Sequence, residues 1–504
     1  MHVEIMDTTL RDGEQTSGVS YTASEKLHIS RLLIEEVNVD RIEIASARVS
    51  DGEQEAVKRI TKWAAKTGRI EQIEVLAFID GTQSIDWIRG CGAKVVNLLS
   101  KGSLKHLTGQ LRKTPEEHVR QIKQIIENIS QSGMLANIYL EDWSNGMRHS
   151  KDYVFFLVDN LKDTALLRFM LPDTLGVLAP NETHQFCREM LERYPGIHFD
   201  FHAHNDYDLA VANSLAAVDA GIHGIHTTVN GLGERAGNTP LASISAVMKD
   251  HAEVQLCINE EKLSLLSKMV ETFSGMRIPA NKPVVGENVF TQACGVHADG
   301  DSKDKLYYND LLPERFGRVR KYALGKTSGK SNIAKNLEEL GIQLDPEAMQ
   351  LVTKRVIELG DRKENVTADD LPYIISDVLH SEGIEQKINV CNYALNVAQG
   401  LRPTATLCVE IDGKRYEESA SGDGQYNAFM NALLKIYEPL NKSLPELIDY
   451  VVTIPPGGQT DALVETIITW QTNEGREFKT RGLEPDQTIS AIKATVKMLN
   501  IISN

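Results

Sequence analysis

The stretch from Leu167 to Asp206, LRFMLPDTLGVLAPNETHQFCREMLERYPGIHFDFHAHND, holds the alternation on which the fold turns. It opens with a short apolar run, LRFMLPDT (167–174), and closes with another, HFDFHAHND (198–206). Between them PNETHQFCREMLERY (180–194) repeats its apolar residues at three and four, the helical period, with Pro180 near the start where a missing N–H costs little. Strand, helix, strand is the reading.

Working outward, the same unit recurs. Six further strand-like runs are VEIMDTTL (3–10), RIEIAS (41–46), IEVLAF (73–78), VVNLLS (95–100), ANIYLED (136–142) and GIHTTVNG (224–231). Helix-period segments such as SEKLHISRLLIEEV (24–37) and PEEHVRQIKQIIENI (115–129), the second beginning at Pro115, lie between them. Eight strand–helix repeats in about 240 residues predict an α/β fold, a TIM (β/α)8 barrel. A doubly wound open sheet shares the alternation, but no GxGxxG follows the first strand.

At 504 residues the chain is too long for one core. The barrel is assigned to 1–280. After Pro279 the character changes to Gly, Asn, Lys and Arg, and 281–380 reads as a helical connector, with helices near 330–341 and 346–360. HSEGIEQ (380–386) reads as a hinge. The remainder, 381–504, carries an internal repeat. TATLCVEIDGKRYEESASGDGQYNAFMNALLKIY (404–437) and LVETIITWQTNEGREFKTRGLEPDQTISAIKATVKML (463–499) each read strand, turn, strand, glycine break, helix. Two such β-hairpin–helix units predict a separate α+β domain suited to regulation or dimer formation.

The formal net charge of −16 argues against nucleic acid or an anionic membrane surface as partner. It also means that anionic substrates would need a locally positive site. Six cysteines without a CxxC pair read as reduced thiols. No apolar run is long enough to cross a bilayer, and no signal-like segment opens the chain. A cytoplasmic protein is expected.

Polar groups collect at the C-terminal ends of the strands, where barrel enzymes keep their active sites. His202 and His204, at i and i+2, point to the same side of strand seven. With Asp12 after strand one they make a 2-His-1-carboxylate set, and Asn238 in GLGERAGNTP offers a fourth oxygen. Mixed N/O ligation suits a divalent cation: Zn²⁺, Mn²⁺, Co²⁺ or Fe²⁺, with Mg²⁺ feasible. Arg11, beside Asp12, is placed to stabilise an enolate or alkoxide. Glu141 reads equally as a general acid or base and as a helix N-terminal carboxylate. His297 in TQACGVHADG is, on its own, an ordinary loop histidine. Neither GLGERAG nor GKTSGK matches a phosphate-binding loop.

DTTLRDGEQ (7–15), HAHND (202–206) and GLGERAGNTPL (231–241), in that order, resemble the signatures of the 2-isopropylmalate, homocitrate and citramalate synthases. These belong to a metal-dependent barrel group that also contains 3-hydroxy-3-methylglutaryl-CoA lyase. The resemblance extends to 386–504, which is similar to the family's allosteric domain with its loops SGDGQ (421–425) and PPGGQTDA (455–462). It implies acyl transfer from acetyl-CoA to a small 2-oxo acid, with a divalent metal, in a domain-swapped homodimer. Asp12, His202, His204 and Asn238 match the metal group. Arg11 matches the arginine facing the oxo-acid oxygen, Thr174 the threonine holding its carboxylate, and Glu141 the catalytic glutamate. His297 matches a base reaching the barrel mouth from the partner subunit, and Tyr307 a tyrosine of the same connector.

The segments VLAFIDG, NLLSKGSLKHL and YLEDWSNG resemble the pyruvate-using bacterial members, in which Leu76, Leu99 and Tyr139 wall the substrate's alkyl group. Pyruvate is the expected oxo acid and 2-oxoisovalerate the alternative, while no extra basic residue favours homocitrate synthesis. The effector implied is isoleucine or leucine, although GLEPDQTISA (482–491) is longer and more polar than the family's usual loop. Two other classes fit parts of the pattern: a lyase of the same barrel group, against which the C-terminal domain argues, and an inactive amino-acid sensor, against which the retained site residues argue.

Overall fold

The computed structural model describes residues 2–361, 366–379, 388–440, 442–453 and 464–502. The expected hinge at 380–386 and the loop 455–462 lie outside the described residues. The chain packs as two units, Met1–Thr291 with Tyr308–Lys321, and Gln292–Tyr307 with Tyr322–Asn504.

The first unit is a closed barrel of eight parallel strands: β1 (Glu4–Asp7), β2 (Arg41–Ser46), β3 (Ile73–Ala77), β4 (Val95–Lys101), β5 (Leu135–Glu141), β6 (Leu166–Asp173), β7 (Phe199–Ala203) and β8 (Gly224–Thr227). Closure is direct, with Ile5 of β1 opposite Ile225 of β8. Helices form where the period and the caps agree. In Pro115–Gln131 a capping box joins Thr114 to Glu117, proline holds the first turn, and Val119, Ile122, Ile125, Ile126 and Ile129 make one buried face. Each of these aliphatic side chains contributes about 1.5–3 kcal/mol when fully buried.

Strand alternation then sorts the barrel. Ile5, Ile42, Ile44, Val75, Val96, Leu98, Ile138, Phe169, Leu171, Phe199, Phe201 and Ile225 join the core shared with the helices. Their neighbours face the lumen, since they meet across it from strands that are not adjacent. Arg41 Nη2 donates to Asp200 Oδ2 at 2.7 Å, linking β2 to β7. Asn97 Nδ2 donates to Glu43 Oε1 at 2.8 Å and to Glu74 Oε2 at 2.9 Å. Arg41 Nη1 donates to Glu74 Oε1 at 2.9 Å, and His226 Nε2 lies 3.2 Å from Asp200 Oδ2. His226 Nδ1 lies 3.2 Å from the Tyr139 hydroxyl, which reaches Glu43 Oε2 at the same distance. One layer of the lumen is therefore a closed circuit of charged and polar groups, each of those named having a partner. A fully paired circuit avoids the penalty of an orphaned buried charge, which is large in a dry interior.

Residues 281–330 do not behave as one connector. Within the first unit Phe316 is fully buried in the barrel core with Leu311 packed on it. Arg315 closes this arm by ion pairs to Asp250 at 2.8 Å and Glu260 at 2.7 Å. A glycine- and arginine-rich composition hid one deeply buried aromatic residue.

The second unit holds helices Lys330–Glu339 and Pro346–Asp361, which bury Ile333, Leu337, Val352 and Val356 with Leu371 of a third helix, Leu371–Leu379. Beyond them are two antiparallel sheets, each packed by a helix. One has strands Ile388–Asn396, Thr404–Ile411 and Lys414–Ser421 with helix Gln425–Tyr437. The other has Glu446–Thr453, Val464–Gln471 and Glu477–Glu484 with helix Gln487–Ile502. The repeat is present, and each half gains a leading strand beyond the expected hairpin. Ile388–Asn396 gave no clear signal because most of its side chains are exposed or half-buried. At the first hairpin Asp412 and Gly413 both take positive φ, 50° and 75°, the left-handed turn that suits the twist of the paired strands.

Candidate active site

β1 ends at Asp7, and the chain turns sharply enough for Thr8 O to accept from the amides of Arg11, Asp12 and Gly13. That turn lifts Arg11 and Asp12 onto the C-terminal face of the barrel. β7 carries His202 and delivers His204 one residue beyond its end. Three ligand-type side chains from the ends of β1 and β7, about 190 residues apart, thus meet: Asp12, His202 and His204 are all buried, with their donor atoms within 4.8 Å of one another. The two Nε2 atoms are 3.4 Å apart, and Asp12 Oδ2 lies 3.4 Å from His202 and 3.9 Å from His204.

Asn238 is held against this group by the loop after β8. It forms an isolated bridge with His204, and its Nδ2 donates to Leu232 O at 3.1 Å. The glycines of GLGERAGNTP follow from that placement. A Cβ at Gly233 would collide with the Asn238 amide, and one at Gly237, where φ is 85°, with Gly231 O. Arg235 of the same loop joins Asp206 and the Thr174 carbonyl, at 2.7 and 2.8 Å.

The electrostatics favour a cation among these groups. Burial alone would raise the Asp12 carboxyl, but the adjacent Arg11 guanidinium outweighs it and holds Asp12 well below the usual carboxylate range. Burial lowers both histidines, His204 to about 4, so both stand neutral with a lone pair to give. Asp12 Oδ1 and Asn238 Oδ1 are buried without a hydrogen-bond partner among the described residues, as are the Nδ1 atoms of both rings. Two ligands at about 2.1 Å from a tetrahedral centre stand about 3.4 Å apart, which the two Nε2 atoms match. The donor set fits a divalent metal.

Arg11 is nearly buried and fixed at three points: Glu43 Oε2 at 2.6 Å, Asp12 Oδ2 at 2.8 Å and the Tyr139 hydroxyl at 3.2 Å. Burial disfavours its charge, yet Glu43 and Asp12 hold it more firmly protonated than a free guanidinium. Glu43, within RIEIAS, carries no role in the sequence reading. The same alternation that pairs His202 with His204 would have put Arg41 and Glu43 inside.

Glu141 ends β5 opposite Lys101 of β4 and is ion-paired to it. Glu141 stands out in the sequence by itself, whereas Lys101 is masked there because it directly follows the apolar run VVNLLS. Thr174 is half-buried beyond β6, with its Oγ1 accepting from Asp142 N at 2.8 Å. Asp142 takes positive φ and is tied by the Ser103 hydroxyl at 2.6 Å, so the strand-five and strand-six loops brace each other.

Leu76, Tyr139 and Leu99 form one apolar cluster with Met6 and Met170, apart from the main core. The two methionines were not read from sequence. The Tyr139 hydroxyl joins this cluster to Arg11. His297 and Tyr307 belong to the second unit, on and just after helix Gly295–Asp304. Their rings lie 4.2 Å apart, and His297 Nδ1 is 3.2 Å from Gln292 Oε1.

Comparison with known proteins agrees over the full length. A family model described as HMGL-like matches residues 2–270, a homocitrate synthase post-HMGL domain-like model matches 284–364, and a LeuA allosteric (dimerisation) domain model matches 365–503. The (R)-citramalate synthase of Methanocaldococcus jannaschii is 32% identical over 508 residues, covering all of both chains. The 2-isopropylmalate synthase of the same organism is also 32% identical over 508 residues, covering 99% of this chain and 94% of its own. A Methanopyrus kandleri protein assigned provisionally as an (R)-citramalate synthase is 34% identical over 500 residues, 99% of this chain and 96% of its own.

Proposed function

This chain belongs to the HMGL-like family and carries the LeuA allosteric domain, and from that premise we propose that it condenses acetyl-CoA with pyruvate to give (R)-citramalate and CoA. The reaction class is acyl transfer with carbon–carbon bond formation, which the named activities of the relatives share. Pyruvate is the finer step, and relatives of both activities stand at equal identity. The observation that carries it is the lumen cluster of Leu76, Tyr139, Met6 and Met170 with Leu99, bound through the Tyr139 hydroxyl to Arg11. Five bulky side chains beside the oxo-acid site suit a methyl group and crowd an isopropyl group.

Asp12, His202 and His204, with Asn238, would hold a divalent metal, which supplies Lewis-acid polarisation of the 2-oxo carbonyl when bound. Arg11 donates to the oxygen that gains charge as the new bond forms, and it arrives already oriented by Glu43 and Tyr139. Thr174 orients the substrate carboxylate. His297 removes a proton from the acetyl methyl group, with Tyr307 stacked on it, in a homodimer where each copy serves its partner's barrel. Glu141, held by Lys101, serves the acid–base steps that end in thioester hydrolysis and release of CoA.

The two-sheet domain is assigned to feedback regulation by a branched-chain amino acid, isoleucine if pyruvate is the substrate and leucine if 2-oxoisovalerate is. The deciding experiment measures CoA-thiol release by the purified protein with acetyl-CoA, a divalent metal and either oxo acid. Strong preference for pyruvate establishes the reading. Preference for 2-oxoisovalerate replaces it with 2-isopropylmalate synthesis.

A further inference from the structure

The N-terminal face of the barrel carries a second group of metal-ligand type, at the opposite ends of the strands from the first. His2 precedes β1, Asp40 precedes β2, and Cys257 follows helix Leu241–His251 after β8. One donor atom from each lies within 4.8 Å of the others.

The hydrogen bonds of His2 make this more than proximity. Its Nδ1 is 3.1 Å from Gln255 O, and a carbonyl oxygen can only accept, so Nδ1 carries the proton. The neutral ring then turns the Nε2 lone pair towards Asp40 Oδ1, 3.1 Å away and itself only an acceptor. Two acceptors at that distance repel unless a cation stands between them, either a second proton on the ring or a metal ion. A ligating histidine characteristically has its other nitrogen tied to a carbonyl, and a ligating carboxylate has its second oxygen hydrogen-bonded. Both conditions are met, since Asp40 Oδ2 accepts from Ile5 N at 2.7 Å. The frame is backbone: His2 pairs with Gln255, and Asp40 N donates to Ile5 O at 3.0 Å.

We propose that His2, Asp40 and Cys257 bind a zinc ion, with water in the fourth position. Imidazole, carboxylate and thiolate are a tetrahedral zinc set, whereas magnesium and manganese favour oxygen. On binding, the Cys257 thiol gives up its proton to solvent and the sulfur becomes the third ligand. The exposed thiol makes the site exchangeable. Occupied, it ties the segment before β1, the turn before β2 and the chain leaving the last barrel helix into one clasp.

Cobalt(II) titration of the metal-free full chain, followed by absorption spectroscopy, tests this. The expected result is a sulfur-to-cobalt charge-transfer band that saturates by two equivalents, one for the barrel mouth and one for this group, is displaced by zinc, is absent in Cys257→Ser and is weakened in His2→Ala and Asp40→Asn. Zinc should also raise the melting temperature more in the unsubstituted chain than in Cys257→Ser. No such band, or a band that survives Cys257→Ser, overturns the proposal. A zinc stoichiometry that is the same with and without Cys257 overturns it too.

Discussion

Lys101 and Glu141 stand directly opposite each other in the β4–β5 register, the last residues of their strands, and are joined as an ion pair at the barrel mouth. The lysine side chain is 8% exposed and the glutamate 24%. The lysine's backbone is pinned twice, by N–H donation to His118 Nε2 at 3.3 Å and by the Tyr153 hydroxyl on its carbonyl at 3.0 Å. Glu141→Gln should lower kcat by about 10²–10⁴-fold, the range of acid–base catalysis. Lys101→Arg should retain more activity than Lys101→Met, because it keeps the charge although not the compact ammonium. Equal loss in the two lysine variants would refute a role for the pair.

Exhaustive chelation should abolish CoA release, and added divalent metal should restore it. His202→Ala, His204→Ala and Asp12→Ala should each reduce activity to background. Metal content, measured in a Cys257→Ser background so that the mouth site is counted alone, should fall from one ion per chain to well below it. Retention of a full equivalent would show that the ligands lie elsewhere.

Widening the alkyl pocket should move selectivity. Leu76→Ala or Leu99→Ala is expected to raise kcat/KM for 2-oxoisovalerate relative to pyruvate by about 10–100-fold, within the ~1–3 kcal/mol that methylene-scale fit commands. The check is competition between the two oxo acids at equal concentration. An unchanged ratio would remove these leucines from the substrate wall.

His118 supplies a pH-dependent term in stability. Burial lowers its pKa from 6.5 to about 4, with Lys113 and Lys101 adding to the effect. The folded state therefore holds the neutral ring, while the unfolded chain takes up a proton below pH 6.5. This contribution, about 3 kcal/mol, is present above pH 6.5 and is lost as pH falls towards 4. His118→Gln keeps an acceptor for the Lys101 amide and should show a flatter fall in urea midpoint between pH 6.5 and 4. Parallel curves for the two proteins would refute the assignment.

The barrel was legible because its signals are local. Pro115 and Pro180 mark helix starts, and the apolar runs set each strand to within a few residues. His202, His204 and Asp12 were legible because i and i+2 share a face and each falls near a strand end. The lumen circuit was not, although it obeys the same alternation. Glu43, Glu74 and Asp200 look like solvent-facing charges until closure brings Arg41 and Asn97 to them, and closure is not a local property. Phe316 was hidden for a similar reason, as its stretch spaces its aromatic residues without a helical or strand period. The clasp of His2, Asp40 and Cys257 has no spacing motif, since three separate segments supply it.

A barrel whose lumen is apolar throughout can be cut in two and still have something to collapse around; the charged layer of this one makes that costly. The half built from β1 to β4 would hold Arg41 with Glu74 but would lack Asp200, and Glu43 would lose Tyr139. The other half would hold Asp200 with His226 and His198 but without Arg41. Each fragment would keep part of the pairing, Arg41 with Glu74 in one and His198 with Asp200 in the other, but would turn the broken half of each cross-lumen pair to water, which disfavours drying its interior alone. Assembly and neutralisation are one event. For the same reason change is channelled: substitution at any station of the circuit strands two neighbours, whereas rim positions outside the turns that carry Arg11, Asp12 and Asn238 answer to no such circuit, and new substrate preferences in such a molecule would arise at its edge.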